Sequence, residues 1–307
     1  MKKITVIGAG NVGATTIQRL AELELGNLVM VDIAEGIPQG KALDLMQASP
    51  IMGYDVDIIG TNDYADIKHS DIVVITAGIP RKPGMSRDDL LKINAGIIKS
   101  VTENIKEYAP KSIVITVTNP LDVMTYATLK YTEFEPNRVF GMSGVLDSSR
   151  FETFIAMELD CSVRDVDAMV LGGHGDTMIP LPQHSSVCGI SISELMSEKT
   201  IEAIVNRTID GGAEIVKYLK TGSAFYAPSA SIAKMVESVI KDSKRILPAA
   251  AYLNEEYGEK DVYLGVPVKL GKKGIEDIIE ISLTESQQSL ISKSVRSVKQ
   301  SIKTLNF

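Results

Sequence analysis

The sequence predicts an α/β protein in which a doubly wound parallel sheet is followed by a second domain of the α+β class. Three observations lead to this prediction. Over the first 140 residues short β-branched runs alternate with longer amphipathic stretches, a glycine-rich turn follows the first run, and the alternation ends near residue 143. The chain has 307 residues, enough for two domains of ordinary size.

Six apolar runs in the first half have the character of strands. They are nearly continuous in apolar side chains, as expected for parallel strands that are buried on both faces. The predicted strands cover residues 4–7, 28–31, 57–59, 72–76, 113–117 and 139–142. The clearest helices between them are predicted over residues 12–25, 39–48 and 88–108. This alternation indicates a sheet with helices on both faces.

The sequence of the second half predicts more helix and fewer buried strands than that of the first half. Long helical stretches cover residues 198–219 and 229–241, and Thr284 is placed to cap a last helix over residues 285–303. A hairpin is predicted across residues 262–270, with its turn at Gly265, Val266 and Pro267. We therefore predict a dinucleotide-binding domain over residues 1–142, a substrate domain over residues 143–307, and a ligand cleft between them.

Composition and charge disfavour several classes of function. The chain is 44% hydrophobic and 23% charged, as in globular proteins, and its apolar runs are too short to cross a bilayer. The first apolar run is interrupted at Gly8, before the core of a signal peptide, so we expect a cytoplasmic protein with no membrane partner. The net charge of −7 disfavours nucleic acid as a partner, and an anionic ligand requires a local cluster of cations.

Cysteines and histidines give no sign of a disulfide or a metal. Cys161 and Cys188 are expected to be reduced, because a chain of this length does not need a covalent link. His69, His174 and His184 lack the spacing to Cys, Asp or Glu that metal sites use. We expect no metal, and we assign His69 and His184 structural roles.

A glycine turn after the first strand indicates a dinucleotide. Gly8, Gly10 and Gly13 fit the spacing G-x-G-x-x-G, with Asn11 and Val12 at the start of the next helix. Here the glycines permit a tight turn and close approach of a pyrophosphate, as in Rossmann domains. Asp32 ends the second strand, where a carboxylate binds the ribose hydroxyls of NAD and repels the 2′-phosphate of NADP. Proteins that bind adenosylmethionine share part of this pattern, so these residues alone leave the cofactor open.

Polar residues follow several later strands. The loop over residues 79–87 holds three cations, Arg81, Lys82 and Arg87, and it is either an anion-binding lid or a solvated basic loop. Asn119 follows the fifth strand, where its amide either reaches the nicotinamide end of a ligand or makes a turn before Pro120. Asp147 and Arg150 are three residues apart, so they share a helix face.

These segments, together with Gly172–Asp176 around His174, run in order over nearly the whole chain. They resemble the lactate/malate dehydrogenase superfamily. Arg81 stands where lactate dehydrogenases are expected to carry Gln, so the resemblance points to the NAD-dependent malate dehydrogenases of the lactate-dehydrogenase-like branch.

The resemblance implies a role for each matching residue. It implies that His174 moves the proton and that Asp147 is bonded to its other ring nitrogen. The residues implied in substrate binding are Arg81, Arg87, Asn119 and Arg150. Those implied in binding NAD are Gly8, Gly10, Asn11, Val12, Gly13, Asp32, Thr76, Ala77, Gly78, Asn94, Val117 and Asn119.

The expected activity is the reversible, NAD-dependent oxidation of (S)-malate to oxaloacetate. The alternatives are an NAD-dependent lactate or other 2-hydroxy-acid dehydrogenase, a non-catalytic dinucleotide-binding or scaffolding protein, and, more weakly, a transferase. A small-molecule substrate is the expected partner. The resemblance also implies a homodimer or homotetramer, with the helices at residues 39–48 and 198–219 as candidates for the interface.

Overall fold

The computed structural model of the chain describes residues 1–80, 84–305 and 307. Strands and helices alternate through the first half, as predicted. The strands in the described ranges are β1 (Lys3–Ile7), β2 (Asn27–Val31), β3 (Ile58–Thr61), β4 (Ile72–Ile75), β5 (Ile113–Thr116), β6 (Val139–Gly141), β7 (Val166–Asp167), β8 (Val170–Gly172), β9 (Met178–Pro180), β10 (Ser186–Val187), β11 (Ile190–Ser191), β12 (Arg245–Asn254), β13 (Lys260–Gly271) and β14 (Gly274–Ile278).

The predicted α-helices are present, with ends displaced by up to four residues, and two further helices, at Leu121–Thr132 and Ile192–Leu195, were not predicted. They are α1 (Asn11–Glu22), α2 (Ile37–Met52), α3 (Arg87–Tyr108), α4 (Leu121–Thr132), α5 (Gly144–Leu159), α6 (Ile192–Leu195), α7 (Glu198–Leu219), α8 (Tyr226–Ile240) and α9 (Glu285–Ile302). Short 3₁₀ segments lie at Tyr64–Ile67, Pro136–Arg138, Val163–Asp165, Pro182–His184 and Glu256–Gly258. The predicted cap of the last helix is confirmed, because Thr284 accepts a hydrogen bond from the backbone N–H of Gln287 and forms a capping box with it.

The first six strands form a parallel sheet in the order β3-β2-β1-β4-β5-β6. The order reverses direction at β1 and β4, as in doubly wound sheets. All four residues of β4 and of β5 are buried, in agreement with strands covered by helices on both faces. The carboxyl ends of β1, β2, β4 and β5 therefore place Gly8, Asp32, Thr76 and Val117 along one edge of the sheet.

The sheet does not stop at the predicted boundary between the halves. It continues through antiparallel pairings in the order β6-β12-β13-β8-β9, with β14 on β13. Strands β12 and β13 have 10 and 12 residues and are largely buried, so the second half contributes more buried strand than predicted. Through β8 this sheet carries the segment that leads to His174.

The hairpin predicted across residues 262–270 is wrong. Gly265, Val266 and Pro267 lie inside β13, and the chain instead reverses before it, between β12 and β13. Gly265 pairs with Gly172 of β8, and a Cβ at Gly265 would lie 2.5 Å from the Gly172 carbonyl oxygen. The glycine is therefore required by close approach of two strands, which sequence alone does not distinguish from a turn.

The core extends through both halves. One cluster of buried apolar residues covers the large sheet from Ile4 to Val298, and a second, smaller one lies around Phe151 and Ile155 of α5. Helix α5 thus packs on β12 and β8 and also against α7. Because of this packing, its first turn holds Asp147 in a fixed position next to the segment that follows β8.

Among the helices of the described residues, none is long and apolar enough to span a membrane.

Candidate active site

The glycine turn between β1 and α1 has the geometry that a dinucleotide requires. Gly8 has a φ of +110°, in the region that favours glycine, and a Cβ on Gly13 would overlap the Gly8 carbonyl oxygen. Gly10 is exposed, with no atom of another described residue within 4 Å of where its Cβ would lie. Helix α1 also starts without a side-chain cap, so the first N–H groups of the helix are available to an anion. These observations fit the pyrophosphate of NAD.

Asp32 lies beside this turn. Its carboxylate accepts hydrogen bonds from the backbone N–H groups of Ala9 (2.6 Å) and Ala34 (2.9 Å), and the residue remains partly exposed. Lys41 of α2 donates to the carbonyl of Ala9 at 2.6 Å. Asp32 and Lys41 therefore hold the two polar groups of residue 9. The role of Lys41 was not predicted, because nothing in the local sequence shows that a lysine within a helix bonds a carbonyl as distant in the chain as that of Ala9.

The loops after β4 and β5 are joined by Asn94. This side chain, 1% exposed, accepts from the backbone N–H of Ile79 (2.9 Å) and donates to the carbonyls of Ile79 (3.2 Å) and Asn119 (2.7 Å). Thr76 donates to the carbonyls of Ile7 and Gly8, both at 3.1 Å. The structure thus gives Asn94 a bracing role, and its predicted contact with NAD stays a prediction.

The remaining predicted residues of these loops lie at the same edge. Ala77 and Val117 are partly exposed, and Gly78 and Asn119 are exposed. A Cβ on Gly78 would lie 2.5 Å from a methyl group of Thr118, so this glycine permits close contact between the two loops. The backbone of both loops is held by protein contacts, while several of their side chains face outward, where a ligand can reach them.

Asp147 is the centre of the second group of predicted residues. It lies in the first turn of α5 and is 2% exposed. One carboxylate oxygen is 2.8 Å from Nδ1 of His174, and the other accepts from Nη1 of Arg150 at 3.1 Å. The helical spacing brings Arg150 to the same face, as predicted, and β8 brings His174. A single buried carboxylate therefore binds an imidazole and a guanidinium at once.

The surroundings of His174 favour its charged form. Burial alone opposes the imidazolium, but the charge and hydrogen bond of Asp147 outweigh it, and Asp122 adds to their effect. Arg150 acts in the opposite direction. The net result is that the pKa of His174 is raised above its ordinary value of 6.5. The ring therefore holds a proton more readily than an ordinary imidazole, which favours the donation of a proton to a substrate.

Arg150 is packed so that part of its guanidinium remains available. It is 13% exposed, and its Nε is buried without a hydrogen-bond partner among the described residues. Gly211 and Gly212 of α7 lie against it, and a Cβ on Gly211 would be 3.2 Å from its Cδ. The absence of side chains at these two glycines leaves room for the arginine, whose remaining donors suit a carboxylate.

Arg87 reaches the same region from α3. Its Nη2 is 3.0 Å from a carboxylate oxygen of Asp176, and the two side chains are 77% and 85% exposed. The pair connects the end of the predicted lid to the loop that carries His174. Arg81, Lys82 and Pro83 lie outside the described residues, so the position of Arg81 stays a prediction.

Asp122 is a residue of this region that sequence reasoning missed. It lies in the first turn of α4 and is 5% exposed, and its Oδ2 accepts from the backbone N–H of His174 at 3.1 Å. Burial raises its pKa to about 7, and Asp147 adds to this, while His174 acts against it. One feature of the sequence could have indicated Asp122. It is an acidic residue in an otherwise apolar helix start, three positions after Asn119.

No cluster of three or more His, Cys, Asp or Glu side chains suited to a metal ion occurs within residues 1–80, 84–305 and 307.

Comparison with known proteins identifies the family. The profile of the lactate/malate dehydrogenase NAD binding domain matches residues 2–141, and that of the lactate/malate dehydrogenase alpha/beta C-terminal domain matches residues 144–306. The chain belongs to the lactate/malate dehydrogenase family. The predicted family, the fold class and NAD as cofactor are thereby confirmed, whereas the exact domain division at residue 142 stays a prediction.

Individual relatives cover the whole chain. The malate dehydrogenase of Methanosarcina mazei is 64% identical over 307 residues, which is 100% of both proteins. The crystal structure of Cryptosporidium parvum malate dehydrogenase is 46% identical, with a TM-score of 0.96 and coverage of 98% of each chain. A lactate dehydrogenase from Cryptosporidium parvum, solved with lactic acid and NAD, is 45% identical, with a TM-score of 0.95 and coverage of 98% of this chain and 97% of that one. Overall fold therefore does not separate the two activities.

Proposed function

We propose that this chain catalyses the reversible, NAD-dependent oxidation of (S)-malate to oxaloacetate. The observation that carries the proposal is the buried Asp147, which binds His174 and Arg150 together. A proton-transfer group and a carboxylate-binding group are thus held at fixed separation, as a 2-hydroxy acid requires. Full-length relatives that carry the name malate dehydrogenase support the same substrate.

His174 exchanges the proton of the substrate hydroxyl. Because Asp147 occupies Nδ1, the other ring nitrogen, Nε2, is the one that faces the substrate. In malate oxidation the neutral ring accepts the hydroxyl proton as the C2–H bond breaks, and in the reverse direction the imidazolium returns it to the carbonyl oxygen. When bound, NAD supplies the hydride acceptor. Asp147 fixes the tautomer of the ring and stabilises the imidazolium that forms.

The arginines bind and polarise the substrate. Arg150 takes the carboxylate next to the reacting carbon, because its planar guanidinium matches two carboxylate oxygens. Arg87 leaves Asp176, an exposed partner that holds it weakly, to stabilise the negative charge that grows on the carbonyl oxygen. Asn119, in the loop after β5, completes the set from the sheet edge.

Selectivity for a diacid is assigned to Arg81. Oxaloacetate offers a second carboxylate for this arginine, whereas pyruvate leaves it unpaired in a closed site. Leaving a buried charge without its partner costs about 3–5 kcal/mol, which corresponds to two to four orders of magnitude in specificity. The alternative, a lactate dehydrogenase, is favoured only by the equal structural likeness to the Cryptosporidium parvum lactate dehydrogenase.

Asp32 selects NAD over NADP. Its carboxylate lies beside the glycine turn, where it accepts the ribose hydroxyls and repels a 2′-phosphate. The groups that hold the pyrophosphate are the N–H groups of residues 10–13. They are uncapped and adjacent to the open space at Gly10.

The enzyme is expected to act in the cytoplasm as a homodimer or homotetramer. Helix α2 leaves Leu43, Met46, Ile51 and Met52 exposed, and α7 leaves Val216 and Leu219 exposed. Apolar residues of this size on two helices are typical of a surface covered by another subunit. Sedimentation velocity at micromolar concentration tests the assembly, and a monomer would contradict it.

Steady-state oxidation of NADH tests the activity. We expect kcat/KM for oxaloacetate to exceed that for pyruvate by at least about 100-fold, with 2-oxoglutarate as a further diacid comparison. Comparable values for oxaloacetate and pyruvate would contradict the malate assignment. Protection from thermal unfolding by adenosylmethionine, in place of NADH, would instead favour a transferase.

A further inference from the structure

The loop that carries His174 is fixed from behind by two polar side chains that lie outside the residues assigned above. Asp122 of α4 accepts from the backbone N–H of His174 at 3.1 Å. Ser294 of α9 accepts from the backbone N–H of Gly173 at 2.9 Å and donates to the hydroxyl of Thr177 at 3.0 Å. Two consecutive peptide groups of the loop are thus bonded to two different helices.

The packing around Gly173 leaves little freedom for this loop. A Cβ at Gly173 would lie 2.6 Å from the Thr177 hydroxyl, 2.8 Å from the Ser294 hydroxyl and 3.3 Å from Oδ2 of Asp122. Ser294 is 0% exposed. Because residue 173 is a glycine, the backbone of the loop can approach the buried hydroxyl of Ser294 and the buried carboxylate of Asp122 closely.

Asp122 is also an unusual group to bury. Its Oδ1 has no hydrogen-bond partner among the described residues, so the carboxyl group is satisfied on one oxygen only. A polar group left in this state costs stability and calls for an explanation. The side chain is next to His174, whose ring gains a positive charge each time it takes up a proton. Because the pKa of Asp122 is about 7, the carboxyl is partly ionised at neutral pH, and in its ionised form its negative charge favours the uptake.

We propose that Asp122 and Ser294 are positioning residues for the reaction: both fix the backbone of the His174 loop, and Asp122 also supplies a second negative charge beside the imidazole. The inference rests on the proposed role of His174. Ring orientation then depends on three contacts, namely Asp147 on the ring nitrogen, Asp122 on the residue's own N–H, and Ser294 on the preceding N–H.

The charged groups around His174 determine its pKa, and a pH profile of oxaloacetate reduction reports that pKa. From α5, Asp147 contacts the ring and also binds Arg150, and from α4, Asp122 accepts from the backbone N–H of His174. On its own loop Asp176 pairs with Arg87 of α3, and Ser294 of α9 is uncharged. Loss of the Asp122 charge is therefore expected to lower the pKa of His174, whereas loss of Ser294 is not.

Three variants separate the positioning effect from the charge effect. Asp122→Asn keeps an oxygen for the His174 N–H but removes the charge, so the pH at which oxaloacetate reduction declines is expected to fall below that of the wild type. Ser294→Ala removes the contact with Gly173 and carries no charge, so kcat is expected to fall about 10-fold with the pH limb unmoved. Asp122→Ala removes both effects, and a loss of about 10–100-fold in kcat is expected.

The experiment measures kcat/KM for oxaloacetate from pH 5.5 to 9, kcat at saturation, and the Kd of NADH by fluorescence. The Kd of NADH is expected to stay within about twofold of the wild-type value, because neither residue contacts the glycine turn. Asp160→Asn, at the exposed end of α5, and Ser231→Ala, a buried hydroxyl of α8 that bonds Ala227, serve as matched controls.

The results separate this inference from the proposed function. Wild-type kcat in both Asp122→Ala and Ser294→Ala would overturn the positioning role. An Asp122→Asn profile that superimposes on that of the wild type would overturn the charge role. Failure of Asp122→Ala to fold leaves the other two variants to decide. Absence of oxaloacetate turnover in the wild-type enzyme would instead contradict the proposed function itself.

Discussion

Replacement of Asp147 by Asn removes a charge and changes little else in shape. In the folded protein this carboxylate accepts from Arg150 at 3.1 Å and contacts Nδ1 of His174 at 2.8 Å, and it is 2% exposed. The two partners contact different oxygens of Asp147, and an asparagine has an oxygen at only one of these two positions, so only one partner keeps its acceptor. If the oxygen stays with Arg150, the NH₂ group faces Nδ1, and the ring proton must move to Nε2. The nitrogen that should accept the proton of malate is then blocked.

The magnitude follows from these contacts. General acid–base catalysis contributes about 10²–10⁴-fold in rate, and the blocked tautomer forfeits most of it, so kcat for malate oxidation is expected to fall by that factor. The pKa of His174 also changes, because burial opposes the imidazolium and Asp147 is the main group that outweighs it. In the variant we therefore expect a pKa below the ordinary 6.5, whereas that of the wild type lies above it.

The pH dependence of oxaloacetate reduction is a second, independent measure of the effect of Asp147→Asn. Oxaloacetate reduction needs the protonated ring, so the rate is full below the pKa of His174 and declines as pH rises through it. The decline is expected above pH 6.5 in the wild type and below it in Asp147→Asn. Stopped-flow and steady-state rates in both directions from pH 5 to 9 measure this, with Asp160→Asn as the control. A variant profile that matches the wild type in height and position would refute the reasoning.

Three further predictions concern binding. Arg150→Lys keeps the charge but loses the fork that matches a carboxylate, so KM for oxaloacetate should rise about 10–100-fold in initial-rate assays, with NADH affinity unchanged. Arg81→Gln should move the ratio of kcat/KM values for oxaloacetate and pyruvate toward pyruvate by at least about 100-fold, and an unchanged ratio would exclude Arg81 from substrate recognition. Asp32→Ser should raise the ratio of kcat/KM for NADPH over NADH at least about 10-fold; if NADPH already serves the wild type as well as NADH, the role given to Asp32 is wrong.

Local patterns in the sequence were enough to predict the first half of the fold. The β-branched runs of β1, β4 and β5 are buried on both faces, so their composition carries the whole signal. The glycine turn was also predictable from local sequence. Gly8 has a positive φ, and a Cβ on Gly13 would overlap the Gly8 carbonyl oxygen, so glycine is required at both positions. Helix periodicity also placed Asp147 and Arg150 on one face, and the contact between them follows from that spacing alone.

Features that depend on tertiary packing could not be predicted in this way. Gly265 suggested a turn, but it is a strand residue, because β8 approaches β13 there. Asp122 lies 52 positions from His174 in sequence, and Ser294 lies 121 positions from Gly173, so neither contact has a local signal. The predicted contact of Asn94 with NAD stays a prediction, but its amide also bonds the backbone of Ile79 and Asn119, a role that only the arrangement of the two loops reveals.

The most direct test of the mechanism is a single turnover of enzyme-bound NADH with oxaloacetate, in the wild type and in His174→Asn. With the imidazole gone, we expect the rate of NADH oxidation to fall by about 10²–10⁴-fold, while the Kd of NADH measured by fluorescence stays the same. Equal rates in the two proteins would show that another group moves the proton, and the assignment of His174 would have to be abandoned.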